Sequence, residues 1–125
     1  MHPLTRLLTG LALVLALVAP LACSAPAATT GCAADAEGVP GAAFTVAEYA
    51  RGHQGTPQPG YVGGTVFQNR EGHLDNALGP FREYDVNPRR SGQDRGAERV
   101  VLGPTRAASY YTPDHYSTFI AMCVR

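Results

Sequence analysis

With 125 residues the chain has room for one domain at most. Its ten basic residues balance its ten acidic ones, which excludes a protein that gathers nucleic acid by bulk positive charge. Every basic residue is arginine. A GC-rich coding sequence accounts for that, and so does phosphate recognition by the planar guanidinium fork; composition leaves both open.

The N-terminus predicts export. Met1–Arg6 carries one positive charge, and Leu7–Ala22 is nearly unbroken Leu, Ala and Val. This is the layout of an export signal, too short and too weakly flanked for a membrane span. Small residues from Ala22 to Ala28 suit signal peptidase, so residues 1–27 are read as the signal and the mature protein as extracellular. Pro20-Leu21-Ala22-Cys23 partly resembles a bacterial lipobox, with Pro20 where Leu is usual. Release and lipid anchoring through Cys23 therefore both stay open, and without lipidation no stable membrane association is expected. The two other cysteines, Cys32 and Cys123, most simply pair in an oxidising compartment. In the chain-entropy picture a loop that long contributes about 4–5 kcal/mol. Two free thiols are the alternative.

Residues 28–42, rich in Ala, Gly, Thr and Pro, are read as a linker that becomes ordered near Cys32, ahead of a domain over residues 43–125. Phe44–Ala50 places apolar residues at helical spacing, with Gly52 as the stop. Residues 52–64 hold five Gly and two Pro and read as a loop. Strands are predicted at Phe81–Val86, Arg99–Leu102, Ser109–Tyr111 and Ser117–Met122, with a turn at Asn87–Gly92. The turns are too short for crossovers, so the strands pair as antiparallel hairpins. One helix followed by such a meander gives an α+β fold, the helix packed on one face of a single sheet.

Within the first of these strands Arg82, Tyr84 and Val86 point one way, and Phe81, Glu83 and Asp85 the other. A carboxylate beside Phe81 on a partly apolar face suits a general base; a solvated acid on an open sheet face fits the same pattern. His115 follows a Pro-Asp turn between two strands, where a rigid sheet often presents catalytic groups, and where a plain surface histidine also fits. His53 and His73 lie in Gly-rich loops and read as surface residues. Arg95 and Arg99 are spaced to reach one anion, or to form salt bridges with Asp94 and Glu98. No CxxC or paired-His spacing points to a metal, no GxSxG to a serine nucleophile, and no Gly-rich lead into a helix to a nucleotide cofactor.

Four segments become specific together: Gly64-Thr65-Val66-Phe67-Gln68-Asn69-Arg70-Glu71, Phe81-Arg82-Glu83-Tyr84, Arg95-Gly96-Ala97-Glu98-Arg99-Val100-Val101 and Tyr110-Tyr111-Thr112-Pro113-Asp114-His115-Tyr116-Ser117-Thr118-Phe119. In this order they resemble the microbial guanyl-specific ribonuclease family, the barnase-like enzymes, and more closely its secreted, disulfide-bridged bacterial members. The resemblance covers residues 44–122. The Glu83–Arg95 interval departs from the family pattern by about one extra residue, in the turn before Asp94.

The resemblance implies roles. Glu83 matches the general base that takes the ribose 2′-hydroxyl proton. His115 matches the general acid that protonates the leaving 5′-oxygen. Arg95 and Arg99 match the arginines at the phosphate, and Tyr116 an aromatic residue beside phosphate and base. Glu71 matches the acid that binds guanine, and the backbone of Phe67, Gln68, Asn69 and Arg70 the other guanine edge. The cysteines near the two ends fit the bridged members. The implied substrate is single-stranded RNA, with no metal or cofactor, a monomer by default, and a barstar-type protein inhibitor as a possible partner. A non-catalytic RNA- or protein-binding module and a delivered antibacterial toxin domain are the alternatives on the same fold.

Overall fold

The computed structural model describes residues 37–124. The signal over residues 1–27, Cys23 and Cys32 lie outside the described residues. Helix α1 spans Gly41–Gly52, and five strands follow: β1 Gly63–Phe67, β2 Phe81–Asp85, β3 Arg99–Leu102, β4 Ser109–Thr112 and β5 Ile120–Ala121. They form one sheet in the order β1-β2-β3-β4-β5, every neighbour antiparallel. The expected α+β architecture, one helix on a single antiparallel meander, is the one found.

The helix forms because Ala43, Val46, Ala47 and Ala50 fall on one stripe, and all four are buried. Three of the four are alanine, so the helix lies close to the sheet. It packs against Tyr84, Val86, Val100, Leu102 and Tyr111. At its last turn Arg51 donates to the carbonyls of Gly103 (3.1 Å), Thr105 (2.7 Å) and Ala108 (3.2 Å) and to Ser109 Oγ (2.8 Å). This cation ties the negative end of the helix to the β3–β4 loop.

The alternation read in β2 sets the two faces of the sheet. Tyr84 and Val86 join the helix-side core, whereas Phe81 packs with Val101, Leu74 and Ala108 on the other side. Phe67, Tyr110, Tyr116 and Phe119 cover that second cluster only in part. The helix therefore covers most of one face and leaves the other open, and Glu83 stands on the open one.

Two strands differ from expectation. β1 runs through the end of the stretch read as a loop, because its two leading glycines carry no alternation. Gly64, at φ +85°, sits in a bulge between Gly63 and Thr65, a conformation suited to glycine. β5 is shorter than the predicted 117–122, because Thr118 N donates to Asp114 (2.7 Å) and holds the preceding residues in a turn.

Gly63 meets the Tyr84 ring so closely that a β-carbon there collides with it. Tyr84 is fixed in turn by a 2.8 Å bond from its hydroxyl to the Gly55 carbonyl. Gly63→Ala is therefore expected to lower stability by about 1–3 kcal/mol. Thermal denaturation checks this; an unchanged Tm would show that the ring is free to move.

Candidate active site

Glu83 lies in the middle of β2, paired in register with Thr65 on one side and Val101 on the other. Tyr116 donates its hydroxyl to Glu83 Oε2 at 2.7 Å. Burial, and next the bond to Glu83, push the Tyr116 phenol well above its ordinary pKa. The shift favours the protonated phenol, the form that donates to the carboxylate.

Both His115 and Tyr116 have positive φ, +53° and +75°. Side-chain-bearing residues avoid this region, so two in succession store strain that the surroundings must hold. Asp114 Oδ1 accepts from Thr118 N and, at 3.1 Å, from Thr112 Oγ1. Thr112 Oγ1 also accepts from Tyr116 N (2.9 Å), and His115 N donates to Ala97 O (3.0 Å). The bonds from Thr118, with the one from Thr112, hold the Asp114 carboxyl below its ordinary pKa. The Tyr116 ring stacks on Phe67 at 4.8 Å between centroids and lies 4.7 Å from the His115 ring.

The two arginines converge on one acid, Asp85, rather than on Asp94 or Glu98. Asp85 is 1% exposed. Arg95 grips it with two bonds, Nε to Oδ2 at 2.8 Å and Nη2 to Oδ1 at 2.6 Å, and these raise the Arg95 pKa. Arg99 is itself buried. Its Nε lies 3.0 Å from Asp85 Oδ1 without hydrogen-bond alignment, so this pairing is charge against charge. Its Nη1 donates to the carbonyls of Gly96 (2.9 Å) and Glu98 (2.8 Å). Arg95 acts electrostatically on both Glu83 and Tyr116, and Arg99 sits beside the Tyr116 phenol. Glu98 is occupied elsewhere, accepting from Tyr111 Oη (2.6 Å) and Asn87 (2.9 Å).

The segment after β1 forms the far wall. Asn69, at φ +50° and buried, donates to Leu74 O (2.6 Å) and Asn76 Oδ1 (2.8 Å) and accepts from Leu74 N (3.1 Å). Its side chain is thus committed to shaping the loop. Arg70 Nε donates to Gln68 Oε1 (2.6 Å). Glu71 stays exposed, with Oε2 3.1 Å from His73 Nε2. His73, read as a surface residue, is exposed and also lines the cleft: Gly72 at φ +68° turns the chain so that the ring faces Glu71 and approaches Phe119. A histidine two residues after the acid was the only signal.

Together Phe67–Glu71, His73, Glu83, His115 and Tyr116 line one open cleft of about 450 Å³. Among the described residues no group of three or more His, Cys, Asp or Glu side chains is placed to hold a metal ion.

A single antiparallel sheet with an acid on its second strand, a histidine on a strained turn lining the same cleft, and two arginines held on Asp85 beside that cleft rather than in its lining defines a small α+β protein of the microbial ribonuclease class. A ribonuclease family profile matches residues 23–123, and the chain belongs to that family. It is similar to guanyl-specific ribonuclease St of Saccharopolyspora erythraea, 49% identical over 67 residues, or 53% of this chain and 64% of that protein. It is also similar to guanyl-specific ribonuclease Sa3 of Kitasatospora aureofaciens, 43% identical over 67 residues, or 53% and 47% of the two chains. The match thus spans about half to two thirds of these relatives' length. The crystal structure of ribonuclease Sa2 with guanosine-2′-cyclophosphate aligns over 70% of this chain and 90% of its own, at 32% identity and a TM-score of 0.45.

Removing one partner of a buried charge cluster leaves the other uncompensated. Asp85→Asn is expected to destabilise the protein by about 3–5 kcal/mol, measured by urea unfolding. A loss under 1 kcal/mol would mean that the arginines find other partners.

Proposed function

We propose that this chain is a guanyl-preferring endoribonuclease that acts outside the cell on single-stranded RNA. The observation that carries the reading is the meeting of Glu83, His115 and the Phe67–Glu71 loop in one cleft. An acid–base pair and a base-sized wall there face the same space.

In this reading Glu83 takes the proton of the ribose 2′-hydroxyl of guanosine. The freed oxygen attacks the adjacent phosphorus, and His115 protonates the departing 5′-oxygen of the next nucleotide. The product is a 2′,3′-cyclic phosphate. The two residues then exchange roles as water opens the ring. Substrate supplies the nucleophile, so the step needs no metal, and DNA, lacking the 2′-hydroxyl, does not react. Arg95 keeps its Nη1 edge clear of Asp85, and it acts with Arg99 on the charge that develops on the phosphoryl oxygens. Tyr116 orients Glu83 through its hydroxyl and offers its ring beside the base.

Guanine presents N1–H and its exocyclic amine as a donor pair, and Glu71 accepts both. Backbone groups from Phe67 to Arg70 take the other edge of the base. We propose pairing of Cys32 with Cys123 in the exported protein, and a monomer as the active form.

Glu83→Gln and His115→Ala are each expected to cut kcat by at least about 100-fold, with the fold retained by circular dichroism. Glu71→Ala is expected to reduce the preference for guanosine over adenosine more than the rate on bound substrate. Steady-state kinetics on dinucleoside phosphates checks both. Full activity of either catalytic variant, or an unchanged base preference, contradicts the assignments.

A further inference from the structure

A second cleft of about 450 Å³ opens on the helix side of the sheet, where the end of α1, the β1–β2 edge and the β3–β4 loop meet. Arg51, Arg82 and Arg106 line it, and no acidic side chain does. In a chain whose charges balance, three guanidinium groups in one concavity without a carboxylate form a local positive field focused by the cleft walls.

The three arginines differ in what they have left to give. Arg51 spends its Nη groups on the β3–β4 loop, so it supplies charge more than contacts. Burial, and then the nearby charge of Arg106, lower its pKa, as expected of cations held together without a counter-ion. Arg82 donates once, from Nη1 to Gly64 O at 2.6 Å, and retains the rest of its fork. The Arg106 guanidinium donates to no described residue. Between them lie the side chains of Tyr84, Leu102 and Pro80.

The two clefts share a border. Val66, 55% exposed on the edge strand, lines both. We infer that the Arg82–Arg106 cleft is a phosphate subsite for the same RNA strand, which passes from the guanine site over Val66 and the β1 edge. A guanidinium fork matches phosphodiester oxygens, and the exposed Val66 side chain gives the strand an apolar surface to cross. This inference rests on the ribonuclease reading.

The test compares the parent protein with Arg82→Ala/Arg106→Ala on two substrates: guanylyl-uridine, and an oligoribonucleotide with one guanosine flanked on both sides. The double variant is expected to keep the parent kcat/KM on the dinucleoside and lose about tenfold on the oligomer. An oligomer-to-dinucleoside ratio equal to the parent's overturns the subsite. Should the double variant fold poorly by thermal denaturation, Arg106→Glu alone takes its place, with the same expected loss and the same overturning result. If the parent cleaves neither substrate, the ribonuclease reading fails separately, and binding decides the cleft. The oligomer with 2′-deoxyguanosine is then titrated by fluorescence anisotropy at several salt concentrations. Loss of one phosphate contact makes the slope of log Kd against log salt shallower by about 0.7; equal slopes overturn the subsite.

Discussion

The site hangs on a carboxylate buried away from water. Asp85 at the end of β2 meets Arg99 across the β2–β3 ladder and Arg95 from the loop that precedes β3. Isolated, the Asp85 and Arg99 charges are costly to bury, and together they are tolerable because they face one another while Arg95 grips Asp85 from the exposed side. The consequence is positional. Arg99 cannot swing out to solvent, so positive charge stays beside the Tyr116 phenol, and that phenol points at Glu83.

A second constraint comes from the backbone. His115 and Tyr116 adopt left-handed conformations that the chain accepts only because Asp114, Thr112 and Ala97 bind the surrounding amides and hydroxyl. The turn spends stability to aim an imidazole and a phenol into the same cleft. The sheet divides the labour: most of its helix face is covered by a stripe of alanines, with one cleft left at the end of α1, and its other face is left partly uncovered.

Much of this was legible in order of residues. The alternation Phe81-Arg82-Glu83-Tyr84 fixes which side chains face the helix, and it places Glu83 on the open face with no tertiary information. The helix announces itself through apolar spacing. β1 does not, since two glycines and a bulge erase its period. Asp85 as the common partner of both arginines was hidden as well: Asp94 and Glu98 are nearer in sequence, and only the strand register brings Asp85 opposite Arg99. His73 was hidden because a turn at Gly72, rather than any periodic element, delivers it to Glu71. The chemical roles of Glu83, His115 and Glu71 came from family resemblance, since a half-exposed acid and a loop histidine carry no unique pattern.

The chemistry proposed for the cleft is metal-free transphosphorylation after guanosine. Its most direct test is digestion of a defined single-stranded RNA by the folded domain in EDTA, with cut positions and end groups read by mass spectrometry. The expected result is cuts 3′ of guanosine that leave 2′,3′-cyclic phosphates, at a rate unchanged by the chelator. Loss of activity in EDTA, cuts without regard to base, or 5′-phosphate products would contradict it.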